Sequence, residues 1–135
     1  MKFIAAIALL ATSAAAVQLQ YDPVYDNAGQ SFLTVACSDG PNGMLTKGYT
    51  TFGSVPSYVG AVDTITGWNS ESCGTCYQIT WSGTGKTIHV VGVDVAGNGF
   101  NVGQKAMDDL TNGQAVALGN IDVTATQVDK SVCGL

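Results

Sequence analysis

Cys73 and Cys76 stand three residues apart after the run Gly67-Trp68-Asn69-Ser70-Glu71-Ser72, and that spacing admits three chemistries. The pair can be a redox couple, half of a metal centre, or a junction between two structural disulfides reaching the solitary Cys37 and Cys133. A four-thiolate zinc site is normally built from two such knuckles, and neither Cys37 nor Cys133 belongs to one. A thioredoxin-like pair opens a helix, whereas strand-forming residues follow here, Tyr77-Gln78-Ile79-Thr80-Trp81. Structural disulfides are the preferred reading. Loop closure gives about 4 kcal/mol for each long-range bridge in either 37–73 with 76–133 or 37–76 with 73–133, so entropy leaves the pairing open.

Asp94 is the first candidate for acid chemistry. It has inward parity at the end of an apolar strand, just before Ala96-Gly97-Asn98-Gly99-Phe100-Asn101, and lost solvation there favours a carboxyl that keeps its proton and acts as a general acid. The commoner role for such a group is a buried acceptor that ties down the glycine-rich loop through backbone N–H groups. Glycoside hydrolysis also needs a second carboxylate at a set distance. Glu71, the sole glutamate, and Asp39, in another loop, are not evident partners. His89 is the only histidine and sits mid-strand, where a structural role outweighs that of a base. No G-x-S-x-G surrounds a serine, and Gly97-Asn98-Gly99 is no phosphate fingerprint. These absences favour a chain that is not an enzyme, with neither metal nor cofactor.

Binding chemistry is easier to assemble. Sugars are held by flat aromatic faces against C–H surfaces and by planar amides or carboxylates against hydroxyls. Asp39, Asn42, Trp68, Asn69, Ser70, Asn98 and Asn101, with Tyr21, Tyr49 and Tyr58, supply both types. Core packing is the alternative for the aromatics and comes first for Trp81 and Phe100. Turn chemistry is the alternative for Asn42 and Asn98.

The elements that must position these residues read as β. Seventeen glycines and a low charged fraction describe short strands joined by tight turns. Strand character is seen in Gln18 to Asp22, Phe32 to Cys37, Tyr77 to Trp81, Thr87 to Val95 and Ile121 to Val128. In Thr87 to Val95 both alternating faces are largely apolar, which predicts a central strand. A short helix is expected after Phe100, capped by Asn101 with Gln104 in the reciprocal position, with Val102, Ala106, Met107 and Leu110 inward and Asn112-Gly113 as its end. A second short helix is expected between Gly43 and Thr51.

Residues 1–16 have the pattern of a secretory signal: Lys2, an apolar run from Phe3 to Leu10, then Ala14-Ala15-Ala16. The run is shorter than the ~20 residues that span a bilayer. Residues 17–135 then form one exported domain in an oxidising space, with two disulfides. Four lysines against ten acids give that domain a formal charge of −6, which disfavours nucleic acid and anionic membranes as partners.

Several of these motifs together carry a family resemblance. Gly67-Trp68-Asn69-Ser70 leading into Cys73-Gly74-Thr75-Cys76, Cys37-Ser38-Asp39-Gly40 upstream, Gly92-Val93-Asp94 and Gly99-Phe100-Asn101 downstream, and Val128-Asp129 through Cys133 resemble the cerato-platanin family of fungal secreted proteins. Tyr21-Asp22-Pro23-Val24-Tyr25-Asp26 resembles the family's first strand. The resemblance implies a mainly β, six-stranded double-psi β-barrel with short helices, similar to the first domain of expansins, and disulfides Cys37–Cys73 and Cys76–Cys133. It further implies binding of chitin or N-acetylglucosamine oligomers in a shallow groove without established hydrolysis, a place in the fungal wall and culture fluid, elicitation of plant defence through surface receptors, and self-association at interfaces. Asp39, Asn69, Asp94, Asn98 and Asn101 are groove residues by this matching. Two departures stand out: Tyr77 replaces the family's usual Trp, and the segment Val55 to Gly60 is shorter than expected, which would reshape a groove rim.

Overall fold

A computed structural model describes residues 16–135, and the segment read as a signal lies outside these residues except for Ala16. Six strands close into a barrel: β1 (Ala16–Tyr21), β2 (Tyr58–Val62), β3 (Cys76–Thr80), β4 (Thr87–Val95), β5 (Phe100–Val102) and β6 (Asn120–Val128). Their order around it is β1-β5-β2-β4-β3-β6. The pairs β1/β5 and β2/β4 are parallel and the remaining four are antiparallel. This is the six-stranded barrel the family resemblance implied, with disulfides Cys37–Cys73 and Cys76–Cys133.

β4 lies between β2 and β3 in a closed barrel that has no edge strand, and with both faces largely apolar it is buried over most of its length. Ile88, Val90, Val91 and Val93 are buried, and they pack with Leu19, Ile79, Phe100, Val102 and Val123 in the core. Tyr77 takes the place of the expected Trp as a buried residue, edge-on to Phe100 at 5.2 Å, with its hydroxyl bonded to Thr64. Burial holds its phenol above the ordinary value.

Three local expectations are corrected. Phe32 to Cys37 is not a strand: Phe32–Thr34 is a 3-10 turn, because the Ser31 hydroxyl accepts the Leu33 N–H at 3.1 Å and the Thr34 hydroxyl donates back to the Ser31 carbonyl. Gly43 to Thr51 is a chain of turns, not a helix: Gly48, with φ 95°, breaks the run, and the Tyr49 N–H turns back to the Met44 carbonyl rather than to Leu45. The helix α1 (Gln104–Thr111) forms, but Asn101 lies in β5 and does not cap it. The Asp26 carboxylate does so instead, accepting Gln104 N–H at 2.9 Å and Lys105 N–H at 3.1 Å from far back in the chain. Of the inward face expected, Ala106, Met107 and Leu110 are buried on α1, whereas Val102 is buried in β5 instead, and Asn112 ends the helix with φ 57°. A further turn of helix, α2 (Ala115–Leu118), precedes β6.

Candidate functional site

The Cys37–Cys73 disulfide joins two loops where both leave the same stretch of β4. Cys37 N–H donates to the Val93 carbonyl at 3.0 Å, while Gly74 N–H and the Gly92 carbonyl meet at 2.8 Å. Residues 38–43 and 67–72 are thereby held side by side. Trp68 is 61% exposed, yet its indole N–H donates to Asp39 Oδ1 at 2.7 Å, so the ring is presented to solvent in a fixed orientation. That bond holds the fully exposed Asp39 carboxyl below its ordinary range. Asn69, in a left-handed conformation with φ 60°, accepts Asn42 N–H through Oδ1 at 2.9 Å and the Asn42 side-chain amide through its carbonyl at 3.0 Å. Asn42 therefore bonds across the loops rather than within its own turn. Gly40 (φ 81°) sits beneath, where an added Cβ would stand 2.8 Å from the Trp68 ring. Ser70 accepts Ser72 N–H at 3.2 Å and serves its own loop.

Asp94 belongs to a second cluster. It is half-buried, with Oδ1 accepting Ala36 N–H at 3.1 Å and Val95 N–H at 2.9 Å, and Oδ2 accepting the Tyr25 hydroxyl at 3.1 Å. Burial, reinforced by the Asp94 charge and this hydrogen bond, pushes the Tyr25 phenol well up, so Tyr25 remains a donor. Asp94 is an acceptor as the commoner reading held, but it does not tie the glycine-rich loop. Asp63 does, its Oδ2 accepting Gly99 N–H at 2.9 Å while its own N–H donates to the Gly99 carbonyl.

Asn98 and Asn101 form a third cluster, lining a cleft of about 330 Å³ with Gln20, Val95, Ala96 and Phe100. Asn101 Oδ1 is buried, with no hydrogen-bond partner among the described residues. Asp94 touches the third cluster through the Val95 N–H and reaches the first only through the backbone at Ala36–Cys37, which leads into Asp39.

A larger cleft, about 540 Å³, lies elsewhere, and of its lining the sequence drew attention only to Tyr58, His89 and the Val55 to Gly60 segment. Val55 to Tyr58, Thr87 to His89 and Asp109 line it, from three distant segments without a shared motif. Its polar groups are mostly satisfied within the protein: Ser57 donates to the His89 carbonyl, and Tyr58 donates to Asp109 Oδ2 at 2.9 Å. Tyr21, Tyr49 and Tyr58 all pack partly against the core, as does Trp81, and Phe100 is buried in it. Size therefore does not select the site. Trp68 alone among the candidate aromatics offers a largely free face.

Among the described residues, no group of three or more His, Cys, Asp or Glu side chains is placed to hold a metal ion. No described helix is long and apolar enough to cross a membrane. The Cerato-platanin family model matches residues 17–135. The crystal structure of cerato-platanin 3 from M. perniciosa is similar at 93% identity and TM-score 0.89, over 90% of this chain and 100% of that one. The solution structure of the fungal elicitor Cerato-Platanin is similar at 42% identity and TM-score 0.78, over 87% of this chain and 96% of that one. An allergen homolog of Arthroderma benhamiae is 50% identical over 87% of this chain, which spans only 58% of that protein's length.

Proposed function

The chain belongs to the cerato-platanin family, and on that premise we propose that it is a secreted, non-catalytic protein of the fungal wall that binds N-acetylglucosamine oligomers and acts as an elicitor of plant defence. The observation that carries the glycan reading is Trp68, an exposed flat ring whose orientation is fixed by Asp39. A pyranose ring covers such a flat aromatic face with its C–H surface. Asn69 and Asp39 stand beside the ring with planar groups for hydroxyls.

Asp94 fits support better than catalysis. Tyr25 and two backbone N–H groups already occupy its oxygens, which leaves it holding Ala36 and the base of the Asp39 loop in place. The elicitor role comes from the name of a relative that shares 42% of its residues with this chain. Co-sedimentation with chitin, run beside a reducing-end assay, tests the proposal. Retention that is lost in Trp68→Ala, with no sugar released, supports it. Release of reducing ends that disappears in Asp94→Asn would replace it with a hydrolase.

A further inference from the structure

Lys47 and Lys130 are two of the four lysines in residues 17–135, a region with ten acids, and they line one cleft. The cleft measures about 330 Å³, and its floor is the Cys73-Gly74-Thr75-Cys76 segment, with Gln127 on the wall. The Lys47 stem is exposed, but its ammonium is tucked in, donating at 2.8 Å to the carbonyl of Asn42 and at 2.8 Å to that of Cys73. An ammonium carries three protons, so one remains for a ligand. Desolvation and then the neighbouring Lys130 charge hold Lys47 below its ordinary value. Asp129, the acid of the cleft, turns Oδ1 onto its own Ser131 N–H at 2.9 Å. Two ammonium groups thus line one rigid disulfide-bonded cleft with a single acid, Asp129, which the Ser131 hydrogen bonds and then the Lys130 charge hold below its ordinary range, and the remaining positive balance is what an added anion relieves.

We propose that this cleft is an oxyanion site that takes the carboxylate of a uronate sugar. An oxyanion fits the free Lys47 proton and the Lys130 ammonium, each donating a charge-assisted hydrogen bond. A cleft this size is larger than inorganic phosphate needs and holds a sugar ring, whose hydroxyls meet Gln127 and Asp129. The site lies on the Cys-x-x-Cys side of the disulfides and does not rest on the neutral-glycan reading of the Trp68 loops.

The test is an NMR titration of the isotope-labelled, disulfide-bonded protein with sodium galacturonate, galactose and inorganic phosphate, at matched ionic strength. Saturable shifts of the Gly74, Thr75, Gln127 and Lys130 amides are expected with galacturonate and not with galactose, together with a rise in the Lys47 Nζ titration point. Lys130→Gln should lose these shifts at unchanged melting temperature, and Lys130→Arg should restore them. The proposal is overturned if galactose shifts the same amides, if phosphate shifts them and galacturonate does not, or if Lys130→Gln binds galacturonate undiminished.

Discussion

Among single residues, the proposed binding depends on which polar groups remain unspent after folding. Asp39 has one oxygen committed to Trp68 and Asp94 has both committed, while Asn101 Oδ1 is committed to nothing. The sequence marked all three as candidates, yet their partners were invisible in it, because Tyr25 and Asp94, or Asp39 and Trp68, meet only through the fold. Removing one partner of such a pair is costly where the other stays buried. Tyr25→Phe is expected to destabilise the protein by about 1–3 kcal/mol in urea unfolding, through the Asp94 oxygen left without its donor. A change within error would show that Asp94 is well hydrated. Tyr58 gives a pH prediction. Burial, and then its hydrogen bond to Asp109, pushes its phenol up to about 12 from an ordinary value of 10.0. Its folded-state value is raised, so the unfolded chain releases that proton first. Stability should therefore be complete below about pH 10 and fall between about pH 10 and pH 12, with a shallower fall in Tyr58→Phe.

At the scale of elements, long periodic segments were legible and short ones were not. β1, β3, β4 and β6 lie close to their expected places, since alternation and β-branched residues run through five or more positions in each. β5 has three residues, too few for a period, and β2 reads Tyr-Val-Gly-Ala-Val, whose small residues conceal its pairing with β4 and β5. The strand read at Phe32 failed for the opposite reason: apolar residues were present, but the hydroxyls of Ser31 and Thr34 bound the backbone locally. The cap of α1 shows the same limit. The sequence next to the helix suggests a capping box, but the cap is a carboxylate from Asp26, with Gly103 leaving it room: an added Cβ there would stand 2.4 Å from Asp26 Oδ1. Asp26→Ala should cost about 0.5–2 kcal/mol and increase amide exchange in the first turn of α1. Unchanged exchange there would remove the helix-capping role.

At the scale of the whole molecule, the Cys-x-x-Cys is the junction from which one disulfide runs back to Cys37 and the other forward to Cys133. Spacing and compartment pointed to structural bonds, but two pairings had equal entropy. The structure distinguishes them because Cys37 and Cys73 both sit against β4, and Cys76 begins β3, which runs antiparallel to β6 just before Cys133. Each bond spans 36 or 57 residues, which corresponds to about 4 kcal/mol of loop entropy. Reduction of both should lower the melting temperature of the whole barrel in one transition. Full thermal stability after reduction would contradict a structural role. The central claim, that the loops clamped by Cys37–Cys73 present Trp68 to a glycan, is tested most directly by mapping amide and indole NMR shifts during titration with N-acetylglucosamine oligomers. Saturable shifts of the Trp68 indole N–H and of the Asp39, Asn69 and Asn101 signals are expected. Absent shifts, or shifts confined to the cleft between Tyr58 and His89, would contradict it.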